Sequence, residues 1–253
     1  MLGLAAGGPV GAAFGFLIGH LYDHRDRDVS SDPPGFFEKA ITGFTGTAQQ
    51  MAFTVGVIVL GAKMAKVDGR VTHAEIEAFK RVFQVTPAQE DRIAHLFNRA
   101  RETASGFEPY AFHLAQLFRN KSAVLEEVLG GLFIIAAADS AGLRPAEIRF
   151  LEKVAGIFNF TAEDFSRIAA QAGVRLPDRE VKGETHEAYA VLGVRADASA
   201  ADIKLAYRAL IREHHPDRLV AQGMPPELIA NANEKMKRIN AAYDALCKLK
   251  GIV

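Results

Sequence analysis

"ADIKLAYRALIREHHPDRLV", residues 201–220, decides how the rest of the chain reads. Ile203, Ala206, Tyr207, Leu210 and Ile211 recur at three- and four-residue spacing, the mark of a helix with one apolar stripe. Lys204, Arg208 and Arg212 fall at i, i+4 and i+8, a cationic line about 12 Å long on the far side. "SAAD" (199–202) starts this helix as a capping box, with Ser199 as N-cap and Asp202 three residues on. Pro216 stops it. A proline offers no amide hydrogen and pushes the preceding residue, His215, out of the α region. His215, Pro216 and Asp217 are therefore left together in a turn at a helix end, beside Arg218.

Outward from the turn, "LVAQGMPPE" (219–227) leads into a second long helix running to about Leu249. Its apolar positions Ala232, Met236, Ile239, Tyr243 and Leu246 alternate at four and three, a seam for an antiparallel partner. "THEAYAVLGV" (185–194) adds a short helix offering Tyr189, Val191 and Leu192. Two helices zipped along their apolar faces would hold the 215–217 turn at one tip. Residues 176–184, within "RLPDREVKGE", break the helical period and read as a linker.

Residues 36–175 read as a helical bundle without any alternating strand pattern, so the expected fold class is all-α. "THAE" (72–75), "TPAQ" (86–89) and "TAED" (161–164) are N-terminal capping signals, and Pro145 opens "PAEIRFLEKVAGIF". Two segments echo each other, "AKVDGRVTHAEIEAFKRVF" (65–83) and "AAADSAGLRPAEIRFLEKVAGIF" (136–158). In each, an apolar helix ends at an aspartate, a turn follows, and a helix begins around Ala-Glu-Ile. Asp68 with Glu75, and Asp139 with Glu147, would give oxygen ligands for a divalent cation, but too few for a dedicated calcium loop. Turn and capping chemistry accounts for the same carboxylates, so no metal and no cofactor is expected.

The first 22 residues carry no charge, and as a helix residues 2–22 would extend roughly 31 Å, a bilayer's hydrocarbon thickness. Glycines at 3, 7, 11, 15 and 19 repeat small-xxx-small along one stripe, so Gly7, Gly11, Gly15 and Gly19 would let the span pack against a second copy. The bland alternative is a Gly/Ala segment buried in a core. Arg25 and Arg27 follow in a charged, turn-rich linker (23–35) and place the bulk of the chain on the cytoplasmic side. The expectation is a single-pass protein of the cytoplasmic (inner) membrane.

Thirty basic and thirty acidic side chains cancel, so nothing global favours nucleic acid. The single cysteine, Cys247, excludes an internal disulfide or a multi-cysteine zinc site. There is no Gly-rich phosphate loop and no activated nucleophile, which argues against an enzyme.

"YAVLGV", "ADIKLAYRALIREHHPDR" and "KMKRINAAYDAL" follow in the order and spacing of the J domain of DnaJ-type co-chaperones, which residues 185–253 resemble. The 65–83 and 136–158 repeats resemble the TerB-like helical domain of tellurite resistance. With the glycine-rich start, the whole arrangement resembles the membrane-anchored DnaJ-like (DjlA-type) co-chaperones. The resemblance implies that His215, Pro216 and Asp217, with Lys204, Arg208, Arg212 and Arg218, engage a DnaK-type chaperone and stimulate its ATPase. It implies three parts: an anchor (1–22), a TerB-like domain (36–175) and a J domain (185–253). A competing expectation is a membrane-bound TerB-like stress-response or metal-sensing scaffold.

Overall fold

The computed structural model describes residues 47–67, 72–82, 106–120, 122–139, 142–177, 184–224 and 229–252. All regular structure among them is helical. The elements are α1 (Thr47–Lys66), α2 (His73–Val82), α3 (Glu108–Leu117), α4 (Ser122–Ala136), α5 (Pro145–Ile157), α6 (Ala162–Ala172), α7 (Glu184–Leu192), α8 (Ala200–Glu213), α9 (Pro216–Ala221) and α10 (Ile229–Lys250). The all-α expectation holds.

Helices α1–α6 form one bundle around Leu60, Met64, Phe79, Leu114, Phe118, Leu129, Leu132 and Phe133. α4, "SAVLEEVLGGLFIIA", is buried along nearly its whole length, as a helix that is apolar on all sides must be. Three capping signals do what the sequence asks of them. Thr72 Oγ1 accepts from the Glu75 amide (3.2 Å) and Glu75 Oε2 accepts from the Thr72 amide (2.7 Å). Thr161 and Asp164 exchange the same pair of bonds at 3.1 Å each. Pro145 opens α5, and Glu147 accepts from the Arg144 amide at 2.7 Å.

Helices α7, α8 and α10 have a core of their own, built from Tyr189, Leu192, Ile203, Leu210, Ile239, Ala242 and Leu246. The hairpin of α8 and α10 is fastened midway. Tyr207 stacks on Tyr243 with ring centroids 4.0 Å apart, and its hydroxyl donates to Asn240 Oδ1 at 3.1 Å. The seam expected along α10 is only partly a hairpin seam. Ala232, at its start, packs into the bundle's core together with Leu219 and Met224. The apolar period of a helix says which side is buried, not which of two neighbours buries it.

The hairpin thus lies on the bundle, and α6 meets α7 and α10 through polar contacts as well. Gln171 Nε2 donates to the Val191 carbonyl (2.9 Å), and Arg238 Nη1 donates to the Gln171 carbonyl (3.2 Å). Asn231 Nδ2 donates to the Val82 carbonyl at 2.9 Å. Two glycines permit the closest approach. Both Gly173 and Gly193 hold positive φ, and the Arg238 guanidinium lies over the first while the Arg167 stem lies over the second. A Cβ at Gly193 would stand 2.4 Å from Arg167 Cδ.

Among the described residues no helix is long and apolar enough to cross a membrane. The expected span (1–22), its glycine stripe and the 23–35 linker lie outside the described residues, as do "TPAQ" (86–89) and Asp68.

Candidate partner-binding site

Ser199 accepts from the Asp202 amide (3.2 Å) and Asp202 accepts from the Ser199 amide (3.2 Å), so α8 starts where the capping box puts it. The Ser199 hydroxyl, donating to Asp202 Oδ2 at 2.6 Å, and then the Ser199 amide hold Asp202 below the usual carboxylate range. The helix ends at His214, and His215 turns extended (φ −59°, ψ 131°) as a residue before proline should. The sequence leaves Pro216 and Asp217 in a turn; in the fold they open α9. Proline suits the first helical position because its missing hydrogen has no acceptor there in any case. His215 serves as the N-cap, its Nδ1 accepting from the Asp217 amide at 3.3 Å.

This geometry turns the carboxylate outward. The Asp217 side chain is 94% exposed and that of His215 52%. Arg218 folds back over the junction and donates to the Arg212 carbonyl at 3.4 Å. Arg208 and Arg212 are exposed and Lys204 is half-exposed, so the cationic line borders the acidic tip. Leu205 stands on the same side and is 70% exposed, an apolar group inside a basic surface. Sequence reading passed over Leu205, although its position three residues before Arg208 and seven before Arg212 puts it on their face.

Immediately behind the tip lies a second charged group of an opposite kind. His214 is fully buried, with Nδ1 2.9 Å from Glu127 Oε1 and Nε2 3.2 Å from Glu126 Oε2. Lys235, from α10, donates to Glu127 Oε1 at 2.7 Å and stands 3.9 Å from Glu126 Oε2. Arg167, from α6, grips Glu126 with two bonds (2.8 and 3.0 Å) and reaches Asp164 at 2.9 Å. Burial alone would push Glu126 up, but the adjoining His214 imidazole, the bonds from Arg167 and the charge of Lys235 hold it far below its ordinary value. Burial opposes Glu127 in the same way, and the Lys235 charge and the His214 bond prevail there too.

None of these five residues stood out in the sequence, yet two signals were present. "EE" at 126–127 interrupts an otherwise apolar helix, and His214 continues the stripe of Ile203, Tyr207 and Leu210 at the same spacing.

The acidic turns of the repeat have local duties. Asp139 pairs with Arg144, and Glu75 and Glu147 cap α2 and α5. Burial pushes Glu75 up to about 7 against the bonds from Thr72, and the charges of Glu147 and Asp139 push the same way. Burial also raises Glu147. Among the described residues no group of three or more His, Cys, Asp or Glu side chains is placed to hold a metal ion.

A solvent-facing His-Pro-Asp tip on two zipped helices, carried by a helical bundle, is the arrangement that the resemblance to J domains implies. Comparison with known proteins agrees. Family models match for tellurite resistance protein TerB over residues 54–170, the DnaJ domain over 187–250 and the co-chaperone DjlA transmembrane domain over 1–49. The chain is 30% identical over 268 residues to co-chaperone protein DjlA of Photobacterium profundum, covering 98% of this chain and 96% of that one. The figures for the Yersinia pseudotuberculosis protein of that name are 30% over 289 residues, 99% and 97%. For the Coxiella burnetii one they are 28% over 266 residues, 100% and 96%. No solved structure matches. The chain belongs to the DjlA co-chaperone family.

Proposed function

We propose that the chain stimulates the ATPase of a DnaK-type chaperone, using the His215–Pro216–Asp217 tip as the contact that acts and the α8 cationic face as the contact that steers. The observation that carries this is an outward Asp217 carboxylate at a tip that directly follows a helix with exposed Arg208 and Arg212, with exposed Arg218 next to it in sequence. The cations attract an acidic patch and speed encounter in a salt-dependent way. Asp217 then accepts from a cationic donor on the partner, a charge-assisted bond worth about 1.5–3 kcal/mol. Pro216 and the His215 cap keep the turn ordered beforehand, so docking costs little further entropy. Leu205 gives the basic face one apolar contact point, which an acidic groove with an apolar floor would cover.

The division of labour follows the three parts: residues 1–22 tether the chain to the cytoplasmic membrane in a single pass, with linkers at 23–35 and 176–184. Residues 36–175 and 185–253 work in the cytoplasm beside the partner chaperone. Gly7, Gly11, Gly15 and Gly19 supply a stripe on which two spans can pair. His215→Gln and Asp217→Asn should each abolish stimulation in a single-turnover ATPase assay while leaving thermal unfolding nearly unchanged. Full stimulation by both variants would remove the mechanism.

A further inference from the structure

The tripeptide is bracketed by two anchors on the bundle. Before it, His214 inserts between Glu126 and Glu127 of α4. After it, Leu219 and Met224 are buried in the core shared with α1–α6, and the Met224 amide donates to the Leu219 carbonyl at 3.0 Å. Only His215 to Arg218 stand clear between them. The hairpin's own core accounts for neither anchor, because Leu219, Met224 and His214 all face the bundle.

Placing two carboxylates in an apolar helix is costly unless cations meet them, and here Arg167 of α6 and Lys235 of α10 do so, with the His214 imidazole, just past the end of α8, between the two carboxylates. Apolar burial of Leu219, Met224 and Ala232 favours docking without fixing how the surfaces are turned. The charged set fixes it, since only one placement brings His214 and Lys235 onto both carboxylates while Arg167 keeps Glu126. We infer that Glu126 and Glu127 are positioning residues for the His-Pro-Asp tip: the TerB-like bundle, and not the J hairpin alone, sets the orientation in which the tip meets its partner. The effect on stimulation rests on the function proposed above; the docking itself does not.

The test uses the full chain and two readouts. In Glu126→Gln/Glu127→Gln, the concentration giving half-maximal ATPase stimulation should rise about tenfold or more. Backbone amides of residues 214–224 should exchange with deuterated solvent about tenfold faster in the absence of any partner. Asn231→Ala, which removes a single bond across the same surface to Val82, is a milder variant that keeps the core intact and should move both readouts about threefold. His215→Gln should abolish stimulation with exchange at 219–224 unchanged, the Asp217 amide alone losing its side-chain acceptor. If either readout stays within about twofold of wild type in both docking variants, the positioning role is overturned. If the wild-type chain stimulates nothing, the functional proposal fails, and the exchange result then decides the docking on its own.

Discussion

The two sides of the J hairpin employ the same residue types to opposite ends. On the outer side Arg208, Arg212 and Arg218 are exposed to water, as is the Asp217 carboxylate, each cheap to keep and worth little to folding. On the inner side Lys235 and the His214 imidazole are buried against Glu126 and Glu127 while Arg167 of the bundle grips Glu126, so each buried carboxylate is tolerable only because a cation meets it. An exposed charge remains available to a partner; a buried matched set is committed to one arrangement. On the function and docking proposed above, the difference separates residues that recognise from residues that aim.

The sharpest way to break this contrast is to unbalance the inner set. Lys235→Ala should cost about 3–5 kcal/mol of stability in urea unfolding at pH 7, because it leaves Glu127 buried without its cation. Arg212→Ala should change stability by less than about 0.5 kcal/mol in the same assay. Equal losses in the two would erase the distinction.

A pH series sharpens it further, since the buried carboxylates shift in opposite directions. Glu126 and Glu127 are held below their unfolded value, so their contribution is present above about pH 4.5 and is lost as pH falls below it. Glu75 is raised to about 7, so the folded state binds the extra proton and stability declines as pH rises from about 4.5 through 7. Glu75→Gln keeps an acceptor for the Thr72 amide and removes that decline. The variant should gain about 1–2 kcal/mol over wild type at pH 8 and nothing at pH 4, measured by chemical denaturation.

On the outer side, Arg208→Ala/Arg212→Ala should slow association with a DnaK-type chaperone about fivefold at low ionic strength, a change that high salt removes. The smallest effect belongs to Leu205. Its replacement by Ser should weaken that association about threefold at every salt concentration, with folding unaffected, in a surface-binding titration. A salt-dependent loss there would mean that Leu205 acts through its charged neighbours.

What could be read from the chain beforehand divides by distance along it. Thr72, Thr161 and Ser199 cap their helices as expected, because cap and partner lie three residues apart and local spacing contains the whole interaction. The His-Pro-Asp tip was legible for the same reason, although Pro216 and Asp217 begin α9 instead of remaining in a loop. His214 and Glu127 are 87 positions apart. Each taken alone reads as a misplaced polar residue on an apolar face, and neither names the other. Ala232 was placed in the hairpin seam because its spacing fits, while its neighbours proved to be Leu219 and Met224 on the bundle. Periodicity shows that a face is covered; it does not say by what.

The reciprocal arginines at Gly173 and Gly193 bear on how the hairpin can leave the bundle. Arg238 reaches from the hairpin over Gly173, and Arg167 reaches from the bundle over Gly193 while still holding Glu126. Lifting the hairpin away takes Gly193 from beneath the Arg167 stem and Arg238 from the Gln171 carbonyl, while the Arg167–Glu126 pair stays within the bundle. Separation therefore costs both contacts together, one projecting from each side of the joint.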